Sequence, residues 1–290
     1  MEAPVLATFV IGLREGLEAA LIVGIVAAFL RQRGRSDALR LVWLGIAIAV
    51  AICVTVAVGL QLLSAELPAA QQEGLETVVG AAAVVMVSYM VVWMRRHARD
   101  LKGQLEGATA SALAEGTAWA LVLMAFLAVL REGFETAVFL LAAFQAAVDP
   151  MLAGLGALIG ILIACVVGYG IYRGGVRLNL SRFFRFTGLV LVLVAAGLVA
   201  TALHTAHEAG WLDIGQQQVM DLGWLVQPGS IQEALLTGVL GVRQQPVLIE
   251  VLGYLLYLVP LGLYVAWPQR RPAPRVSSGT ADQAIAPAPH

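Results

Sequence analysis

Seven apolar runs, each long enough to cross a bilayer, leave this chain few folds to choose from. They lie near Val5–Leu30, Leu39–Leu63, Leu75–Met94, Ala118–Ala147, Leu152–Tyr172, Phe183–Leu203 and Val247–Trp267. A crossing takes roughly 20 apolar residues. In hydrocarbon the backbone has no water to pair with, so such runs must satisfy their own hydrogen bonds as α-helices. Composition agrees: 60% of the residues are hydrophobic and 13% charged, against ~25% charged in a soluble domain. The expected class is an all-α integral membrane protein with seven transmembrane helices. The first run starts near Pro4 with no basic leader, so it reads as a retained helix rather than a cleaved signal.

The loops between the runs set the orientation, because Lys and Arg stay on the cytoplasmic side. Arg31, Arg33, Arg35 and Arg40 follow the first run. Arg95, Arg96, Arg99 and Lys102 follow the third, and Arg173, Arg177, Arg182 and Arg185 follow the fifth. Arg270, Arg271 and Arg275 follow the last. These are fifteen of the eighteen basic residues, all on alternate loops. The predicted topology has the N-terminus out and the C-terminus in. The outer segments carry Glu2, Glu66, Glu73, Asp149, Asp213, Asp221 and Glu233 against the single Arg243. Such a face raises the local cation concentration, although depletion of basic residues outside yields the same pattern. The net charge of −1 is uninformative, since the charges are sorted by side. No nucleic-acid partner is expected.

One pentapeptide pattern, Arg-Glu-Gly-x-Glu, occurs twice inside these runs. Arg14-Glu15-Gly16-Leu17-Glu18 lies in the first and Arg131-Glu132-Gly133-Phe134-Glu135 in the fourth, 117 residues apart. Charge at mid-bilayer depth costs several kcal/mol per group, so it marks function by default. Glu15 and Glu18 share a helix face, and Arg14 can pair with Glu18 four residues on. Three crossings separate the copies, so helices one and four run in opposite directions yet carry the same motif. This predicts two inverted three-helix repeats, at 4–95 and 117–208, with the substrate site at mid-depth between them. An outer loop at 209–246 and a seventh helix at 247–267 complete a membrane domain over 1–267. Ile231–Leu240 is expected as a short surface or re-entrant helix. The Pro-, Ala- and Ser-rich tail at 268–290 is expected to be a disordered cytoplasmic segment.

Four carboxylates, Glu15, Glu18, Glu132 and Glu135, form the candidate metal set at the centre. Carboxylate oxygens suit hard cations such as Fe(III), Mn(II), Ca(II) and Mg(II). Arg14 and Arg131 would keep the carboxylates ionised and oriented while no cation is present. The alternative is a buried network of structural ion pairs that binds nothing. Gly16 and Gly133 fit close helix approach. Glu76, Glu208, Glu250, His204 and His207 form a second candidate set near the outer ends of helices three, six and seven. Interfacial acids and histidines reaching water would look the same. Cys53 and Cys165 sit in apolar runs and are expected as core filler rather than a disulfide or a ligand pair. Tyr89, Trp93, Trp211 and Trp267 read as interfacial aromatics.

At the two Arg-Glu-Gly-x-Glu motifs the chain resembles the oxidase-dependent iron permease family, which includes the fungal high-affinity iron permease and the bacterial EfeU-type permeases. The likeness extends to Tyr-Met-Val-Val-Trp-Met at 89–94 and to His204-x-x-His207-Glu208-Ala-Gly210, and runs to Trp267. It implies a permease rather than an enzyme, in the cytoplasmic (inner) membrane of a bacterium. It implies that Fe(III), made outside by an oxidation partner, passes Glu15, Glu18, Glu132 and Glu135 with support from Arg14 and Arg131. The oxidase or iron-delivery partner would be a separate extracytoplasmic protein. Iron is then substrate, and no permanently bound cofactor is expected. Because some relatives are linked to lead, a proton-coupled carrier for another hard or divalent cation, Mn or Pb, is the rival reading.

Other classes fit the residues less well. The only lysine, Lys102, lies in a loop, so no helix-seven lysine is present for a retinal Schiff base. No Gly-x-Ser-x-Gly occurs, and two histidines on one helix do not ligate a haem between facing helices.

Overall fold

The computed structural model describes residues 3–32, 34, 36–97, 118–147, 149–173, 180–223 and 244–267. The described residues form seven helices: α1 (Ala3–Gln32), α2 (Ser36–Glu66), α3 (Ala69–His97), α4 (Ala118–Gln145), α5 (Pro150–Tyr172), α6 (Leu180–Glu208) and α7 (Leu248–Ala266). No strand occurs among them; Gln218 and Val247 form one isolated antiparallel bridge. The expected Ile231–Leu240 helix and the 268–290 tail lie outside the described residues. Several helices overrun the apolar stretch that predicts them. α3 begins at Ala69 and α6 continues to Glu208, because the backbone ladder persists past the point where the side chains turn polar.

Among the described residues five helices are long and apolar enough to cross a membrane: α2, α3, α5, α6 and α7. The other two, α1 and α4, are those that carry the pentapeptides, and the motif charges set them apart. The chain is a multi-pass membrane protein. α2 and α7 turn most of their apolar surface outward, including Ile48, Ile52, Val54, Leu252 and Leu256. In a soluble protein this would be an aggregation hazard; here it is the surface that faces lipid. Cys53 is buried as expected, whereas Cys165 is exposed on α5. An apolar run seen in sequence does not say which face of its helix meets protein.

Helix pairing follows small residues. α1 and α5 run parallel in close contact, with Gly156 against Val5 and Thr8, Gly160 against Phe9 and Leu13, Ala164 against Gly16 and Gly168 against Ala20. These four α5 positions recur every fourth residue and make one face. Thr8 adds a hydrogen bond from its hydroxyl to the Ala153 carbonyl, 2.7 Å. α4 and α2 also run parallel: Gly45 faces Val122 and Phe126, and Gly133 lies against Cys53. α3 and α6 are antiparallel, with Gly80 against Ala202 and the Thr77 and Thr205 hydroxyls 2.7 Å apart.

α7 is clipped along its length. The Tyr257 and Ser88 hydroxyls are 2.9 Å apart. Arg185 Nη2 donates to the Ala266 carbonyl at 2.7 Å and Arg95 Nη2 to that of Trp267, with the Arg95 guanidinium 4.3 Å over the Tyr264 ring. Cations suit a helix C-terminus, where carbonyls lack intrahelical partners. At the other end of the bundle Gly210, at φ +76°, closes α6. The loop then returns beside the start of α7 through Leu248 N–H to Gln217 O, 2.9 Å.

The main core lies where α1, α3, α4 and α6 meet, around Ile11, Leu17, Val87, Met90, Phe139, Leu191 and Val192. A smaller cluster, with Val26, Val42, Val122 and Ala125, joins α1, α2 and α4.

Candidate metal centre

The two pentapeptides meet where α1 crosses α4. One carboxylate oxygen each from Glu15, Glu132 and Glu135 lies within 4.8 Å of the other two. Among the described residues this is the group of acids, histidines and cysteines that could enclose a cation with three ligands. Gly16 and Gly133 hold the flanking helices in: a Cβ at Gly16 would sit 2.9 Å from the Ala164 methyl, and one at Gly133 2.7 Å from the Cys53 sulfur. Each motif thus spends its glycine on close approach and its charges on the centre.

Glu15 is fully buried, and neither of its oxygens has a hydrogen-bond partner. Its nearest cation is Arg14, whose Nη1 is 3.8 Å from Oε1. Oε2 of Glu132 is likewise buried without a partner. Buried polar atoms are nearly always paired, and an unpaired carboxylate oxygen in low dielectric costs several kcal/mol. A cation between these oxygens would supply the missing interaction. Glu18 belongs to the same group through Arg14, whose Nε is 3.3 Å from its Oε1. Arg131 Nε donates to Glu135 Oε1 at 2.9 Å and lies 3.9 Å from Glu132 Oε1. Thus all four predicted carboxylates and both arginines gather at one place, three of the acids with oxygens close to each other and the fourth beside Arg14.

The outer candidates are arranged differently. The His204 ring bridges two acids, with Nδ1 2.8 Å from Glu250 Oε1 and Nε2 3.1 Å from Glu208 Oε1. Glu250 is buried, and its Oε2 accepts from the Val247 N–H at 3.4 Å, so it also caps α7. Glu73 faces Glu208, with Glu76 and His204 beside it. Glu76 accepts from Gln72 Nε2 at 3.2 Å. His207 turns instead to the following loop, its Nδ1 2.8 Å from Leu212 O and 3.6 Å from Asp213 Oδ1. Glu208, His204 and Glu250 are therefore joined as a hydrogen-bonded chain across α6 and α7, which Glu73 extends to α3; Glu76 lies beside that chain, bonded to Gln72, and His207 is not part of it. Sequence reasoning left Glu73 out of this set. The signal was there in Glu73-Gly-Leu-Glu76, which repeats the acid spacing of the first motif.

Comparison with known proteins bears on the same residues. No solved structure matches the chain. It is 41% identical over 264 residues to the ferrous iron permease EfeU of Shigella sonnei, covering 90% of this chain and 95% of that one. It is 40% identical over 267 residues to the ferrous iron permease EfeU of Yersinia pestis, covering 91% and 94%. A relative from Escherichia coli K12, 42% identical over 266 residues, is named a putative inactive ferrous iron permease EfeU. The profile of the iron permease FTR1 family matches residues 5–270, with both pentapeptides inside the match. The chain belongs to the iron permease FTR1 family.

Proposed function

We propose that this chain is an iron permease that passes the ion through the Glu15–Glu132–Glu135 trio, with Glu18 as the fourth carboxylate. The observation that carries this is the three buried, unpartnered carboxylate oxygens of Glu15 and Glu132, in a trio of acids gathered within 4.8 Å on helices that otherwise read as membrane spans. The four acids and two arginines carry a formal charge of −2 between them, which favours a multivalent cation over a monovalent one. The donor set is all oxygen, hard, and without a thiolate, which suits Fe(III) best among iron's common states. The relatives above are named for ferrous iron. Oxidation outside the membrane by a separate extracytoplasmic partner, followed by carriage as Fe(III), is the reading we adopt.

The seven helices cross the inner membrane of a bacterium with the N-terminus out and the C-terminus in, as two inverted repeats and an added α7. Reciprocal helix pairing supports the repeat: α1 lies parallel to α5 as α4 lies parallel to α2, which a two-fold relating the repeats requires. The chain Glu73–Glu208–His204–Glu250, with Glu76, is the proposed first docking place at the outer end, fed by the outer acids.

Uptake of radioactive iron into proteoliposomes tests the function. Iron is offered as Fe(II) under reductant and as Fe(III) with an oxidant, against competing Mn(II) and Pb(II). Accumulation that needs the oxidant, resists Mn(II) and Pb(II), and vanishes with Glu15→Gln is expected. Preferred uptake of Mn(II) or Pb(II) would instead favour the rival carrier. Equal uptake by Glu15→Gln and the native chain would reduce the motifs to structural ion pairs.

A further inference from the structure

The two motifs are alike in sequence and unlike in surroundings. The 117-residue offset pairs Val10 with Leu127, Arg14 with Arg131, and Leu17 with Phe134. On α1 the three are 6%, 1% and 1% exposed; on α4 they are 51%, 54% and 48% exposed. The same stripe is sealed in one copy and open in the other. The opening is a stripe that runs from the N-terminal end of α4, at Trp119 and Leu123, to just past its middle at Phe134, since Phe139, Leu141, Ala142 and Ala143 further along are buried. With α4 running outward, as proposed above, this is the inner side.

Arg14 has no room to leave its acids. Arg131 has, and each of its ion pairs runs through Nε, to Glu135 and Glu132. Glu135 Oε1, the atom that Arg131 holds, belongs to a residue of the trio. A cation and this guanidinium therefore compete for one carboxylate, and only the half-exposed arginine can yield without emptying a packed site.

We infer that Arg131 is the displaceable counter-ion of the permease, a positioning residue at the open edge of the trio, and that the cargo passes between the trio and the inner side by way of this edge, while Arg14 is a fixed counter-ion. The inference rests on the reading of the trio as the cargo site. A guanidinium that swings off Glu135 when the ion arrives and returns when it leaves keeps the carboxylate charge compensated in both states.

Thiol labelling tests it. Arg131→Cys and Leu17→Cys are made with Cys53 and Cys165 replaced by Ala, and reconstituted in liposomes with a charged, membrane-impermeant thiol reagent on both sides. Thiol reactivity follows solvent access and thiolate formation, so Cys at 131 should react roughly tenfold or more faster than Cys at 17. Iron, supplied as ferric citrate or as ferrous ion under anaerobic reductant, should slow the reaction at 131. If Arg131→Cys does not fold, Phe134→Cys on the same stripe carries the contrast with the charge pair intact. Reaction with a lipid-soluble maleimide but not with the charged reagent would place the stripe against lipid and overturn the inference. So would equal rates at 17 and 131, or absent protection in protein that binds iron by calorimetry. Native protein that binds no iron overturns the cargo site itself, whatever the labelling shows.

Discussion

At the residue scale, the central acids are alike as ligands and unlike as stabilising partners. Replacing any of Glu15, Glu18, Glu132 or Glu135 with Gln keeps shape and one acceptor oxygen but removes the charge a multivalent ion needs, so uptake should nearly vanish in each. Stability should divide them. Glu18→Gln leaves the sealed Arg14 only its longer contact with Glu15, 3.8 Å, and breaking one partner of a buried pair costs about 3–5 kcal/mol. Glu135→Gln leaves Arg131 only Glu132, 3.9 Å away, but Arg131 can turn outward, so the cost should fall nearer the ~1 kcal/mol of an exposed pair. Thermal unfolding of the two purified variants checks the order; equal losses would mean the arginines are equally confined. The double change Arg14→Gln with Glu18→Gln should recover most of the lost stability and none of the transport. Full transport by that double variant would defeat the site.

At the element scale, α5 is held to α1 by absence of side chain. A methyl at Gly160 would run into the Phe9 carbonyl and the Leu13 backbone, atoms that cannot rotate away. Gly154, on the same helix, has nothing near its Cβ position. Gly160→Ala should therefore cost about 1–3 kcal/mol as an overpacked contact, and the helices, once apart, would carry Glu15 away from α4. Gly154→Ala should be neutral or stabilising by up to about 1 kcal/mol, since Ala is the better helix former. Melting temperatures and expression of the two variants decide it, and a neutral Gly160→Ala would show that α1 and α5 are not so closely packed in the membrane. The small-residue spacing on α5 was legible in the sequence. Its partner was not, because a four-residue repeat says a helix can be approached closely without saying by which helix.

At the scale of the whole molecule, fifteen of eighteen basic residues on alternate loops fix how the bundle must insert if the proposed seven crossings are right. A reporter fused after Arg271 should be cytoplasmic, and one inserted at Gln217 should be extracytoplasmic. Gln217 is a demanding choice, since its carbonyl accepts from Leu248, so an inserted tag must be short and flexible. A cytoplasmic Gln217 would remove the seven-crossing count and the inverted repeat together. The helix directions seen in the structure, with α3 antiparallel to α6 and α6 to α7, are those an alternating path requires.

The sequence by itself determined the seven helices of the described residues, near enough to their ends, and the charges placed inside them. Hydropathy and helix formation are local: a run of some twenty apolar residues has one way to satisfy its backbone in lipid. It also carried the pairing of Arg14 with Glu18 and of Arg131 with Glu135, since four residues on a helix is one turn. Only the tertiary structure decided which acids converge, that His204 reaches Glu250 forty-six residues away while His207 turns to its own loop, and that Arg14 is sealed where Arg131 is open. Those outcomes depend on what a neighbouring helix places against a given face. Two pentapeptides that differ only in Leu17 against Phe134 do not carry that difference, because exposure is a property of the packing around a residue and not of the residue.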